Sequence, residues 1–333
     1  MTDGTDRTYI AIPRDVVAAD TVTGVDLYVR IGEQFLLYRS GREPVDARSL
    51  AKLRRRAVEI LYIDANARPL LDVYLSEMLE QRLDEAPSIE AVGTILRDTV
   101  QTSLQAAFQS LDDSGTIRRV RDVSDATVKR IADDVQIVPH LIRFAVGNDR
   151  LYSHSMNTAA YAVALASRRD ELDEDQLRMI GIGALAHDVG LANADPDLLG
   201  RDESALSDGE RAFLAKHPQR GAGMLMDADV RDPMILEIAA EHHVMSADLP
   251  LHLQIVQLAD TFDTLTNRPG RTDAGAYRAL YTLRETMRGR YRADLLRDFV
   301  MMLGSLELPE EGMLTPLHPP LEAAKPAFRS PAA

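Results

Sequence analysis

Five of the chain's eight histidines fall between Leu185 and Arg271, and most of them stand at the edges of apolar segments with helical spacing. His187-Asp188 follows an apolar run that begins after Asp173, and His217 directly precedes Pro218. His242-His243 ends a run opened by Pro233, and Asp260 and Asp263 lie within Leu251 to Leu265. A fold that buries these apolar faces must also place the neighbouring imidazoles and carboxylates. Such a density of nitrogen and oxygen donors points to a metal site. The chain has no cysteine, so thiolate ligands and disulfides are both excluded, and the donor set is of the harder kind that suits Fe, Mn or Zn.

Metal-assisted hydrolysis of a phosphate ester needs such donors to converge on two neighbouring ions, which acidify a shared hydroxide near neutral pH. His187 and Asp188 are adjacent, so on one helical turn they project about 100° apart and reach different sides of a metal pair. A carboxylate such as Asp188 can bridge two ions. Upstream, Tyr152-Ser153-His154-Ser155 opens another apolar helix and offers a further imidazole. The plain alternative for His187-Asp188 is a helix cap or a core hydrogen bond; His217 and the His242-His243 pair at matching places argue for ligation. His140, His252 and His318 stand alone and read as structural or exposed.

The order Tyr152-Ser153-His154-Ser155, His187-Asp188-Val189-Gly190, His217-Pro218 with Gly221, His242-His243, and Ala259-Asp260 followed by Asp263-Thr264-Leu265-Thr266 resembles the HD-GYP branch of the HD phosphohydrolases. The likeness runs over roughly residues 150 to 300. It implies an all-helical bundle holding two or three iron or manganese ions and hydrolysing cyclic di-GMP to pGpG, GMP or both. Carried over position by position, the metal ligands are His154, His187, Asp188, His217, His242, His243 and Asp260. Where a third ion is bound, the resemblance implies a glutamate four residues before the first histidine; here that residue is Arg150, so two ions are expected. Asp263, one turn after Asp260, is assigned with Asp188 to catalysis, as the group that orients a ligand or a bound water.

The chain also departs from the family's pattern. Its usual His-Asp-x-Gly-Lys places a lysine where Leu191 stands, and its Gly-Tyr-Pro loop is replaced by Val244-Met245-Ser246-Ala247-Asp248-Leu249-Pro250, about two residues shorter. Arg268 and Arg271 survive from an Arg-Pro-Tyr-Arg segment, as Arg268-Pro269-Gly270-Arg271, and are assigned to the substrate's phosphates. Two other readings therefore stay open: a metal-bound but catalytically weak receptor or adaptor for a cyclic dinucleotide, and a phosphohydrolase for another nucleotide.

At 333 residues two domains are expected. Residues 9 to 75 alternate β-branched and aromatic segments with turns: Tyr9–Pro13, Asp26–Ile31, Phe35–Tyr38 as the return strand of a hairpin, and Ile60–Ile63. A helix over Asp46 to Val58 lies between them, with Arg54-Arg55-Arg56 on its solvated face. Residues 1–75 are thus a small α+β module, expected to be regulatory and to face signalling partners. Residues 76–140 form a helical connection shared between the bundle and a possible homodimer contact, with helices over Val73 to Leu83, Ile89 to Leu111 and Val123 to Phe144. Residues 141–305 are the catalytic bundle. Its expected helices include Tyr152 to Ser167, one after a Ser207–Glu210 capping box, and a closing helix over Leu280 to Leu303. Residues 306–333, with six prolines from Pro309 onward, are expected to be disordered.

The net charge of −14 disfavours a protein that coats DNA or RNA, because affinity for a phosphate polymer comes mainly from Lys and Arg. A small nucleotide held by metal is compatible with it. The polar, acidic N-terminus lacks the apolar core of a signal peptide, and no apolar run reaches about 18 residues, so cytoplasmic residence is the expectation.

Overall fold

The computed structural model describes residues 8–109, 114–142, 150–192, 194–195, 198–199, 201, 205–244, 246, 248–267, 275–287 and 289–306. The protein is mainly α, an all-helical bundle preceded by a small α+β module. Four antiparallel strands, β1 (Tyr9–Pro13), β2 (Leu27–Ile31), β3 (Gln34–Arg39) and β4 (Ile60–Asp64), lie in the order β1-β4-β2-β3. β2 and β3 form the expected hairpin, with Ile31 opposite Gln34 across Gly32-Glu33. Helix α1 (Ala47–Arg55) is capped by Asp46, whose carboxylate accepts from the Ser49 amide at 2.7 Å. Its Leu50 and Leu53 pack onto Leu27, Leu61 and Ile63, while Arg54, Arg55 and Arg56 are exposed.

Helix α2 (Arg68–Asp84) belongs to both cores. Leu71 and Tyr74 complete the module's apolar cluster, whereas Leu79 and Leu83, two turns later, enter the helical one. The boundary expected near residue 75 thus falls inside one continuous helix. Asp72 on this helix is buried, accepting from Arg68 Nε at 3.1 Å with Arg119 at 4.0 Å, and Ser76 donates to Asp122 at 2.6 Å. These contacts tie α2 to α4 (Ser114–Asp133).

Helix α3 (Ile89–Gln109) packs along α4. The single helix expected over Val123 to Phe144 is interrupted. α4 stops at Asp133, the Asp134 carboxylate caps a 3₁₀ turn through the Gln136 amide, and Pro139 starts the short α5 (Val138–Leu141). Proline cannot donate the amide hydrogen that a continuous helix would need there.

Helix α6 (Arg150–Ala166) is the axis of the bundle, with every side chain from Ser155 to Ala166 buried. Ala159, Ala160, Ala162, Ala164 and Ala166 keep it thin enough for neighbours on all sides. Helix α7 (Glu174–Ala186) opens with an Asp173–Gln176 capping box and leads to His187. A Cβ on its Gly183 would lie 2.6 Å from Ile238 Cδ1, so the next helices approach closely only because that side chain is absent. α8 (Asp208–Ala215) carries the expected Ser207–Glu210 capping box. α9 (His217–Asp227), α10 (Pro233–Glu241) and α11 (Leu251–Thr266) follow, α10 capped by Asp232.

The closing helix expected over Leu280 to Leu303 is two helices, α12 (Ala276–Tyr281) and α13 (Ala293–Ser305), with a π-helical turn after the first. Gly289, at φ +80°, turns the chain, and buried Tyr291 pins the turn through its hydroxyl, 2.9 Å from that of Thr261. The expected tail from 307 onward lies outside the described residues. No helix among the described residues is long and apolar enough to cross a membrane.

Phe299 joins α13 to the bundle, fully buried with its ring 5.1 Å from Phe262 and 6.1 Å from Tyr161. Phe299→Ala should lower unfolding free energy by about 3–5 kcal/mol in a urea titration. A loss under about 1 kcal/mol would mean that α13 is peripheral to the fold.

Candidate metal centre

Seven candidate ligands from five parts of the chain meet at one end of the bundle. His154 comes from the second turn of α6, His217 from the start of α9 and Asp260 from the middle of α11. His187-Asp188 and His242-His243 follow the last helical residues of α7 and α10. The His-Asp pair was expected on a helical turn, but α7 ends at Ala186 and Asp188 adopts φ −96°, ψ 12°, before a 3₁₀ turn over Val189–Leu191. The cause is close packing: a Cβ on Gly190 would overlap the His217 carbonyl oxygen and sit 2.8 Å from the Gly221 nitrogen. Arg220 fastens this contact, donating to the Gly190 carbonyl at 2.7 Å while its guanidinium stacks 4.1 Å from the Phe213 ring.

Asp188 lies at the centre. Its Oδ1 is 3.0 Å from His217 Nε2 and 3.6 Å from His242 Nε2. Its Oδ2 is 3.4 Å from His187 Nε2 and 3.7 Å from His154 Nε2. The two oxygens of one carboxylate therefore face two separate sets of imidazoles. Two donor groups suited to a metal ion follow from this division: His217 with His242 and His243, and His154 with His187 and Asp188. Asp260 lies between them, 3.2 Å from His154 Nε2 and 4.0 Å from the half-exposed His243 Nδ1.

Local structure fixes the tautomers. A carbonyl can only accept, so the 2.7 Å contact of His187 Nδ1 with the Ala184 oxygen means that Nδ1 carries a hydrogen. The same holds for His217 against Leu214 at 2.6 Å and His242 against Ala239 at 3.0 Å. Each ring then directs its Nε2 inward. His187 Nε2 is buried without a hydrogen-bond partner, and His217 Nε2 and His242 Nε2 stand 3.0 Å apart. Facing lone pairs repel unless a cation or proton lies between them. Two nitrogens each about 2.1 Å from one ion, at right angles, would be about 3.0 Å apart. The donor set fits divalent metal.

Electrostatics point the same way. Burial pushes His187 down to about 4, so it stays neutral. Burial would raise Asp188, but the imidazoles facing both of its oxygens hold its carboxyl well below the usual range. Burial likewise opposes His154 ionisation, yet its bonds to Asp260 and Asp263 hold it well above an ordinary histidine. Two ionised carboxylates in a buried site demand positive charge, which a metal ion supplies.

Asp263 stands behind the His154 ring, where it was expected to orient a ligand. It accepts from His154 Nδ1 at 2.7 Å through Oδ2, and through Oδ1 from Asn157 at 2.9 Å and Asn267 at 2.5 Å. Its oxygens are occupied in aiming the His154 ring. Asn157 went unnoticed in the sequence, although it lies three residues after His154 and so on the same helical face. Gln257 was also missed. Buried on α11 one turn before Asp260, it donates to the Glu241 and Val244 carbonyls at 3.2 and 2.8 Å and so holds the turn carrying His242 and His243. Leu191 is buried beside the cavity, and Arg268 and Arg271 lie outside the described residues. Of the isolated histidines, His252 pairs with Glu237 at 2.8 Å and His140 packs on Gly93; His318 lies outside the described residues.

Removing the Asp263 carboxylate frees the His154 ring. Asp263→Ala should weaken metal binding about 10–100-fold with the helical circular dichroism unchanged, read as Mn content after dialysis against a weak chelator. Retention at the wild-type level would show that His154 needs no support. Metal uptake should also release protons, because His154, held protonated above its ordinary range, must free Nε2 to ligate. Affinity then rises with pH. Calorimetry in buffers of different ionisation enthalpy checks the release, and identical heats would contradict it.

The sequence comparisons agree with this geometry. The HD domain family model matches residues 151–265. Cyclic di-GMP phosphodiesterase PA4108 of Pseudomonas aeruginosa is 25% identical over 283 residues, covering 77% of this chain and 67% of that protein. Among solved structures, Bd1817, an HDG"Y"P protein from Bdellovibrio bacteriovorus, shares the fold with a TM-score of 0.61 at 19% identity, over 89% of this chain and 100% of that one. The matched segment contains all seven candidate ligands, so residues 151–265 are similar to an HD domain, and the chain is similar to a cyclic di-GMP phosphodiesterase and shares its fold with an HDG"Y"P protein.

Proposed function

We propose that this HD phosphohydrolase is a cyclic di-GMP phosphodiesterase that works with two divalent ions, iron or manganese, and yields pGpG, GMP or both. The observation that carries the reading is the division of Asp188: one carboxylate, two oxygens, two imidazole sets. An isolated structural ion would need only one such set. His187, His154 and Asp260 would hold one ion and His217, His242 and His243 the other, with Asp188 shared. The similarity to a cyclic di-GMP phosphodiesterase supports the substrate.

When bound, two ions would supply the acidity that makes water nucleophilic near neutral pH and would offset charge developing on the phosphate. The chain's own residues do the remaining work. Asp263 holds the proton on His154 Nδ1, so that Nε2 is the nitrogen turned inward. The carbonyls of Ala184, Leu214 and Ala239 do the same for His187, His217 and His242. Leu191, Leu151 and Leu199 line the cavity beside Asp188 and make that side of it apolar. Arg268 and Arg271 are assigned to the second phosphate, where a bidentate guanidinium suits the geometry.

A receptor reading is favoured by one observation, the apolar Leu191 against the cavity, which gives the reacting phosphate no charge. Turnover separates the two. Protein purified without oxygen and loaded with Fe(II) or Mn(II) should convert cyclic di-GMP to pGpG or GMP, and Asp188→Ala should lose the activity entirely. Two ions per chain with tight nucleotide binding and no cleavage would establish the receptor instead.

A further inference from the structure

The cavity at the centre is built unevenly. Its described lining comprises the ligands His154 and Asp188, the positioning pair Asn157 and Asp263, and small polar groups at Ser153, Thr264 and Asn267. On the other side are Leu151, Leu191 and Leu199, and with them Arg150. Among the described lining residues Arg150 is the one side chain that carries a permanent positive charge.

Position and anchoring both suit it to substrate. Arg150 is the first residue of α6 and stands one turn before His154, so the two share a helical face. Helical side chains lean toward the N-terminus, which carries the guanidinium away from the ligands and toward the cavity's outer wall. There its Nη1 donates to the Leu199 carbonyl at 2.8 Å, which fixes the orientation of the half-buried guanidinium plane. A guanidinium offers five donors in a rigid fork that matches phosphate oxygens. Leu151, Leu191 and Leu199 make that wall apolar, and a charge-assisted bond gains strength in such surroundings.

We infer that Arg150 is a phosphate-binding residue of this pocket, gripping a non-bridging oxygen of the substrate's phosphodiester beside the metal centre while the Leu199 carbonyl holds it in place. The inference rests on the reading of the pocket as a phosphate site, but it does not depend on which phosphodiester is the natural substrate.

The test uses the full chain loaded with Mn(II) and compares wild type with Arg150→Gln and Arg150→Lys. Three quantities are read: metal content, affinity for inorganic phosphate by calorimetry, and KM and kcat for cyclic di-GMP. Arg150→Gln should leave metal content unchanged, weaken phosphate about 10–100-fold and raise KM by a similar factor, the loss expected for one charge-assisted bond. Arg150→Lys should recover part of the phosphate affinity, since it restores charge without the fork. Unchanged phosphate affinity and KM in Arg150→Gln would overturn the proposal. Metal loss in both variants would also overturn it, by showing that Arg150 supports the ligands instead. If the wild type binds phosphate but does not cleave cyclic di-GMP, the proposed substrate falls, while the phosphate comparison between the variants still decides the role of Arg150.

Discussion

Everything at the functional end of this bundle depends on one buried carboxylate. Asp188 can be ionised in a water-poor pocket only because imidazoles surround both of its oxygens, and they can be near it only because the helix ends converge. A buried charge without such partners would cost several kcal/mol. The tautomers complete the arrangement. Each of three rings spends its Nδ1 hydrogen on a carbonyl in the last turn of the preceding helix, where carbonyls fall outside the regular helical ladder. The helix ends that would otherwise need caps thus prepare the ligands.

The remainder of the bundle holds those ends at the required separation. The alanines of α6 and the missing side chains at Gly183 and Gly190 let backbones approach closely, so small displacements would be felt directly at the imidazoles. Side chains on α11 serve two neighbours at once. Asp260 and Asp263 face His154, while Gln257, on the turn before, secures the carbonyls around His242-His243. One helix thereby sets the positions of ligands on two others.

The N-terminal module is joined to this unit through a rigid element. Because α2 puts Leu71 and Tyr74 into one core and Leu79 and Leu83 into the other, the two cores share a rod. The buried Asp72, with Arg68 and Arg119, adds a polar joint at the crossing to α4. A displacement of the sheet has a mechanical route to α4, which packs directly on α6 and α7.

The sequence by itself determined the helical class, the four strands, the capped start of α8, and the identity of the donors, because periodicity, capping residues and donor chemistry are local. Asn157 was within its reach, lying on the face of a helix already drawn through His154. Other features required the tertiary structure. The break before Pro139 and the turn at Gly289 divide stretches whose apolar spacing reads as continuous helix. The departure of Asp188 from helical geometry goes with Gly190 meeting the backbone of a helix 27 residues away at His217. The role of Gln257 depends on carbonyls 13 and 16 residues earlier in the chain. Contacts of that range leave no periodic trace in a sequence, and they decide which oxygen of Asp188 faces which imidazole.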